Sequence, residues 1–360
     1  MTAHIVSEAM TALGIPSTRT LAAVTTGETV QRETALPGAV LTRVAASHIR
    51  VGTFQFFAAR KNTDAIRQLA DHVIARHYPE AATADNPYRA LLDRVIARQA
   101  ELVARWMLVG FIHGVMNTDN VSIAGETIDY GPCAFMDAFH PGTVYSSIDQ
   151  QGRYAYGNQP RIAQWNLARF AETLLPVLAA DADAALAQAQ AAIDMVPPCF
   201  EAAHDAGLRR KLGLREARPG DSDLALDLLG RMADNEADFT LTFRHLGDAA
   251  AGPDGDAAVR ALFDDPAAFD SWALKWRERL AAEGGSPGER RTAMHAVNPA
   301  FIPRNHRVEE AIAAATDGDY APFETLLTVL AKPYESQPDF ARYAAPPRPD
   351  EIVHQTFCGT

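Results

Sequence analysis

HGVMNTDNVSIAGETIDYGP, residues 113–132, carries two acid-and-amide clusters a short turn apart. It is delivered by a long amphipathic run, NPYRALLDRVIARQAELVARWMLVGFIHG (86–114). There Asn86 reads as an N-cap and Pro87 as the first helical residue, while Leu91, Leu92, Val95, Leu102, Trp106 and Val109 recur at helical spacing. Between Asp119-Asn120 and Asp129, the segment VSI-AGE-TID reads as two very short strands around a turn, which brings Asn120 and Asp129 close in space. A carboxylate and an amide oxygen on neighbouring loops suit Mg2+, which takes oxygen ligands and keeps waters and substrate phosphates in its shell. Thr118-Asp119-Asn120 taken alone reads equally as an Asx turn or a cap. The preceding helix, the spacing and Asp129-Tyr130-Gly131 together favour a metal loop.

The composition bounds the partners. The chain has 360 residues, 48% hydrophobic and 22% charged, as in an ordinary soluble, well-packed protein. With 45 acidic against 33 basic residues, the net charge of −12 argues against nucleic acid or an anionic membrane as partner. A nucleotide is not excluded, because it needs only a few local Arg, backbone N–H groups or a metal. Only Lys61, Lys211, Lys275 and Lys332 are lysines, and the Arg- and Ala-rich usage suggests a GC-rich bacterial gene. Cys133, Cys199 and Cys358 form no C-x-x-C pair and are too few for a disulfide framework. The start, MTAHIVSEAMTALG, lacks the pattern of a secretory signal, and no apolar run approaches the ~20 residues that span a bilayer. A cytoplasmic, bacterial protein is the expectation.

Along the chain, HIVSEAMTALGIP (4–16) places Ile5, Val6, Ala9, Met10 and Leu13 on one helical face, ended by Gly14 and Pro16. TLAAVTT-GE-TVQRETAL (20–36) reads as two strands around a turn at Gly27-Glu28, and a third strand, AVLTRVAA, follows a break at Pro37-Gly38. Thereafter the chain is mostly helical, with clear segments at 161–178, 181–196, 223–246 and 309–330. PGTVYSSIDQQGRYAYGNQP (141–160) is a long irregular stretch of the kind that is functional or disordered. The expected fold class is α+β: a little sheet followed by a large helical body.

The spacing from His113 to Asn120 fits the protein-kinase frame H-R-D-x-x-x-x-N, and Asp129-Tyr130-Gly131 fits D-F-G. Yet Val115 stands where a kinase holds its catalytic Asp. Asp119, beside Asn120, is the candidate proton acceptor, and a base moved along the loop suggests that a different phosphorus faces the acceptor. Arg43 and Arg50, in LTRVAASHIRVG, either clamp a terminal phosphate through charge-assisted bonds or form ordinary salt bridges. His113 reads as structural, and the histidines show no zinc-ligand spacing. Cys133 reads as a small buried residue, and Cys358, close to the end, is the better candidate for redox chemistry.

HGVMNTDN…IDYGP, LTRVAASHIRVGTFQFFAAR, GRYAYGNQPRIAQWNLARFAETLLP and NPAFIPRNHRVEEAI resemble the selenoprotein O family, from about residue 5 to QTFCGT. The resemblance implies a protein-kinase-like (pseudokinase) fold. Residues 1–50 would be the remnant of a small β lobe, a helix plus short antiparallel strands. Residues 51–360 would be the helical C-lobe with catalytic loop 113–120, metal loop 129–131 and a C-terminal tail. It also implies transfer of AMP from ATP, with UMP transfer from UTP also attributed to the family, to Ser, Thr or Tyr hydroxyls of proteins, using Mg2+ or Mn2+. The nucleotide lies inverted relative to kinases, so that the α-phosphate faces the acceptor. By motif match Asp119 is the proton acceptor, Asn120 and Asp129 are metal ligands at the ATP, and Arg43 and Arg50 bind the γ-phosphate. Cys358 falls where the family carries Cys or selenocysteine. Some members tie that residue to a Cys in the loop after Asp-Tyr-Gly; PGTVYSSID holds none, so the tie implied by the resemblance would require Cys133 to substitute.

One difference bears on activity. No lysine precedes Lys61, no Gly-rich strand-turn-strand opens the sequence, and Ala3 stands where the resemblance places the family's helix Glu. The sequence thus resembles a member shortened by most of its nucleotide-clamping lobe. Its surviving strands are expected to expose an edge and an apolar face. An alternative stays open: a catalytically impaired pseudoenzyme or binding scaffold. Val115 disfavours orthodox γ-phosphate transfer.

Overall fold

α1 (Thr2–Ala12) forms where Ile5, Val6, Ala9 and Met10 predict it, and Gly14 follows in the left-handed region. The computed structural model describes residues 1–31 and 35–357. Two faces of α1 are buried. Ile5 and Ala9 pack with Phe301, Val308 and Leu326, while Val6 and Met10 join the main core around Trp106 and Phe111.

β1 (Arg19–Gln31) and β2 (Ala35–Val44) form one antiparallel pair. The turn expected at Gly27-Glu28 is a bulge inside β1. Thr25 pairs with Ala39 and Thr29 with Pro37, so residues 26–28 face Gly38 alone, with Gly27 at φ 75°. Nor does Pro37-Gly38 break a strand; both lie within β2. A two-stranded sheet has no third strand to claim the N–H that proline lacks. Leu21, Val24, Val40 and Val44 stand exposed on this hairpin, Leu21 at 71%. The apolar face expected in solvent is there.

α2 (Val51–Ala58), α3 (Thr63–His77) and α4 (Pro87–Leu108) follow. Asn86 caps α4 as expected, its side chain accepting the Arg89 N–H at 3.2 Å. Beyond α4 come β3 (Phe111–Ile112) and β4 (Ala134–Phe135), paired antiparallel, and then α5 (Gln159–Leu178), α6 (Ala182–Ile193) and α7 (Val196–Lys211). The body continues through α8 (Asp221–Asp234), α9 (Phe239–Ala249), α10 (Asp256–Arg260), α11 (Pro266–Ala281) and α12 (Pro287–His295). It closes with α13 (Asn305–Thr316), α14 (Ala321–Leu330) and α15 (Ala341–Ala344). The helical segments 223–246 and 309–330 are each split in two, at Glu236 (φ 48°) and Gly318 (φ 90°), where the chain enters the left-handed region.

α4 is the axis of the core. Its first half packs with α2, α3, α5 and α6 through Val95, Leu167, Phe170 and Leu174. Its second half joins α7, α8, α9 and α11 through Trp106, Phe243, Trp272 and Trp276. Buried Arg304 ties the segment after β4 to the helices, donating to Asp137 at 2.7 Å and to Asp238, the N-cap of α9, at 2.5 Å. The architecture is α+β, small two-stranded sheets on a helical body. Among the described residues no helix is long and apolar enough to cross a membrane.

Candidate active site

The loop from 113 to 129 is held by polar side chains of the surrounding elements, three of them on its backbone carbonyls. Gln159 and Asn166, both fully buried on one face of α5, reach it from below. Gln159 accepts the His113 N–H at 3.0 Å and donates to Phe111 O at 2.9 Å, and Asn166 donates to Met116 O at 2.9 Å. From α4, Gln99 donates to Ser122 O at 2.6 Å and Trp106 Nε1 to Thr127 Oγ1 at 2.8 Å. The Tyr78 hydroxyl donates to Ile123 O at 2.6 Å. A loop clamped by side chains on rigid helices is preorganised. Gly114, at φ 80°, permits the path itself, since a Cβ there would stand 2.6 Å from Pro132 O.

VSI-AGE-TID is a turn. Val121 bridges Thr127 antiparallel, and Gly125 N–H donates to Ser122 O at 3.1 Å. The bridge joins the residue after Asn120 to the residue two before Asp129. The Thr127 strand is itself paired on its other edge with Ser17, and the buried Tyr130 hydroxyl bonds Ser17 as well.

Asn120 sits at the end of a single helical turn, Thr118–Asn120, opened by Asn117, whose side chain accepts the Asp119 N–H at 2.9 Å. The local Asx turn and the site therefore coexist. The Asn120 amide nitrogen donates to Val115 O at 2.9 Å. This fixes which way the amide points and leaves its oxygen for a ligand. Asp129, two residues beyond the bridged Thr127, is half-buried. No group of three or more His, Cys, Asp and Glu among the described residues could hold a metal ion. An amide oxygen and one carboxylate nonetheless fit Mg2+, which commonly takes one or two protein ligands and completes its shell with phosphate oxygens and water.

The arginines meet the same turn. Arg50, at the N-cap of α2, bridges Ser122, with Val51 N–H donating to Val121 O and Ile123 N–H to Ile49 O, both at 3.0 Å. Its Nε is buried and has no partner among the described residues. The Arg43 guanidinium reaches down from β2 to the carbonyl of Ile128, the residue before Asp129. Neither forms a salt bridge among the described residues, unlike the alternative raised from sequence.

Asp119 is exposed and lies over the first turn of α2, where a Cβ on Gly52 would fall 2.1 Å from Oδ1 and 2.9 Å from Cγ. His113 is structural as expected. It is fully buried against Trp106, and its Nδ1 accepts the Val115 N–H at 3.4 Å. Burial holds its pKa down to about 4, against the opposing pull of the Asp129 carboxylate, so the ring is neutral at ordinary pH.

Cys133 is buried, and burial together with the Asp129 carboxylate pushes its thiol pKa up, away from the reactive thiolate. The tail docks beside it: Thr356 Oγ1 donates to Pro132 O at 2.6 Å, and Thr356 N–H to Tyr145 O at 2.7 Å. Cys358 lies outside the described residues. Sequence reasoning missed Gln99, Gln159, Asn166 and Gly52. The one signal available was a polar pair, Gln159 and Asn166, recurring on the apolar face of α5 with Ile162 and Phe170.

A family profile described as "Protein adenylyltransferase SelO" matches residues 2–331. The chain is similar to proteins named "Protein nucleotidyltransferase YdiU" from several bacteria. It is 69% identical to that of Bradyrhizobium diazoefficiens over 358 residues, covering 99% of this chain and 73% of the relative. Those of Methylorubrum extorquens and Rhodopseudomonas palustris are 67% and 65% identical, with the same coverage of both chains. Matching nearly throughout, the chain belongs to the SelO protein adenylyltransferase family.

Proposed function

We propose that this enzyme transfers AMP from ATP to Ser, Thr or Tyr hydroxyls of proteins within a protein-kinase-like fold, with Asp119 as proton acceptor and Arg43 and Arg50 on the γ-phosphate. The acceptor oxygen attacks the α-phosphorus while its proton passes to Asp119. The bond from that phosphorus to the oxygen bridging the β-phosphate breaks, and pyrophosphate leaves. Asn120 and Asp129 would hold Mg2+ or Mn2+, which supplies charge neutralisation on the phosphates when bound. The chain's own contribution is position: Asn120 turned by the Val115 carbonyl, Asp119 seated on Gly52, and both arginines joined to one turn. Such fixed groups act without reorganising at the moment of reaction.

The observation that carries the reading is the orientation of Asn120. Its amide nitrogen is spent on the carbonyl of Val115, the residue that replaces the kinase base, so its oxygen is the atom offered to a ligand. Identity of 64–69% across 99% of the chain to proteins named as nucleotidyltransferases supports catalysis over a scaffold role. A redox role for Cys358 rests on the docking of the tail at Thr356, next to Cys133. Pyrophosphate release tests the proposal. Asp119→Asn should lower kcat on the order of 10²–10⁴-fold with ATP affinity kept, and Arg50→Ala should weaken ATP more than AMP. An unchanged kcat in Asp119→Asn removes Asp119 from the role of base.

A further inference from the structure

Lys211 ends α7 in the run Arg209-Arg210-Lys211, where cations complement the helix dipole. Exposed side chains would suffice for that, yet Lys211 is 3% exposed. Its Nζ lies 4.2 Å from the ring centroid of Phe243 and 5.4 Å from that of Phe239. No carboxylate pairs with it among the described residues, and desolvation alone lowers its pKa, to about 7. A buried amine without a counter-charge is costly, and one that borders a cleft is a candidate functional site.

A cavity of about 270 Å³ opens where Lys211 sits. Arg105 and Arg210 share its lining, and no Asp or Glu does, in a protein of net charge −12. Arg105 is anchored by Glu101 at 2.5 Å and by Gly14 O at 2.9 Å. Arg210 is exposed and forms no salt bridge among the described residues. Tyr334, donating to Leu13 O at 3.0 Å, closes one wall. Two other arginine-lined pockets among the described residues also carry acids, one where Arg244 and Arg291 stand with Asp248 and one where Arg307 and Arg342 stand with Glu310.

From this juxtaposition we propose that the cavity is an anion site, separate from the nucleotide site, in which Lys211, Arg210 and Arg105 bind a small doubly charged oxyanion of the phosphate class. The volume is below the usual range for drug-sized ligands and suits a compact ion with its waters. Two guanidinium groups supply directional donors to its oxygens, and the ammonium supplies charge from the dry side.

Calorimetric titration of the whole chain with inorganic phosphate, against chloride at matched ionic strength, tests this. Saturable binding is expected, weakened at least tenfold both in Lys211→Met, which keeps the buried volume, and in the exposed Arg210→Glu. Three results would overturn the proposal: no saturable binding, affinity unchanged in both variants, or binding that persists in both and disappears in Arg50→Ala, which would place it in the nucleotide site. Should Lys211→Met fail to fold, Arg210→Glu alone decides between them.

Discussion

The Asp119 carboxylate rests on the backbone of Gly52, so close that a Cβ at residue 52 would stand 2.1 Å from Oδ1. Residue 52 is in α2 and residue 119 in the loop after β3, so the fit is a tertiary contact. Any side chain on residue 52 has to displace the carboxylate or the loop. Gly52→Ala is therefore expected to lower kcat on the order of 10²-fold, the usual cost of a 1 Å misplacement, with the melting temperature little changed because alanine favours the helix. Steady-state kinetics beside a thermal melt checks this. Equal kcat in the variant would show that Asp119 does not need that seat.

Asn166 holds the loop from the other side. Asn166→Leu removes the donor to Met116 O, leaving a buried carbonyl unpaired, and should cost about 1–3 kcal/mol. Urea unfolding measures the loss. Amide exchange should rise in residues 113–121, since the clamp on that loop is gone; an unchanged exchange pattern would contradict the clamp.

Arg304 carries more. It is 1% exposed and bonded to two carboxylates, Asp137 and Asp238, while burial raises the pKa of Asp137 and Arg304 opposes that rise. Arg304→Met leaves both acids without their cation and is expected to destabilise the fold by about 3–5 kcal/mol. A loss below about 1 kcal/mol in chemical denaturation would mean the cluster is not the tie described.

Lys211 gives stability a pH dependence whose sign can be worked out. Its pKa is about 7 folded and 10.5 as the ordinary value. Between those values the unfolded chain holds a proton that the folded chain has released, so this group makes stability rise with pH across that window. Below it both states are protonated and the full burden of the buried charge is present. Lys211→Met removes the burden. Its stabilisation relative to the parent should be largest below pH 7, on the order of a few kcal/mol, and shrink toward pH 10. Denaturation at pH 6, 8 and 10 in phosphate-free buffer measures it, and a gain that grows with pH would refute the assignment.

Much of this was legible in local pattern. The Asn86-Pro87 start of α4 and the face of α1 follow from spacing and capping chemistry, and the turn between Asn120 and Asp129 follows from its short apolar arms around Ala-Gly-Glu. The hairpin was misread because a glycine with positive φ serves a turn and a bulge equally well. Only the pairing of Thr29 with Pro37 across β2 decides between them. The breaks at Glu236 and Gly318 were hidden by continuous helical composition on both sides. Gly52 was illegible for a different reason: the value of its missing Cβ depends on Asp119, distant in sequence. Gln159 and Asn166 could be seen as polar residues on a buried face, but not which carbonyls they serve.

The most direct test of the account supplies the purified chain, with Mg2+ or Mn2+, with ATP radiolabelled either at the α- or at the γ-phosphate. Protein labelling is followed in the parent and in Asp129→Ala. Label is expected on protein from the α position only, and is lost in the variant. Label from the γ position only would contradict it and make the enzyme a kinase.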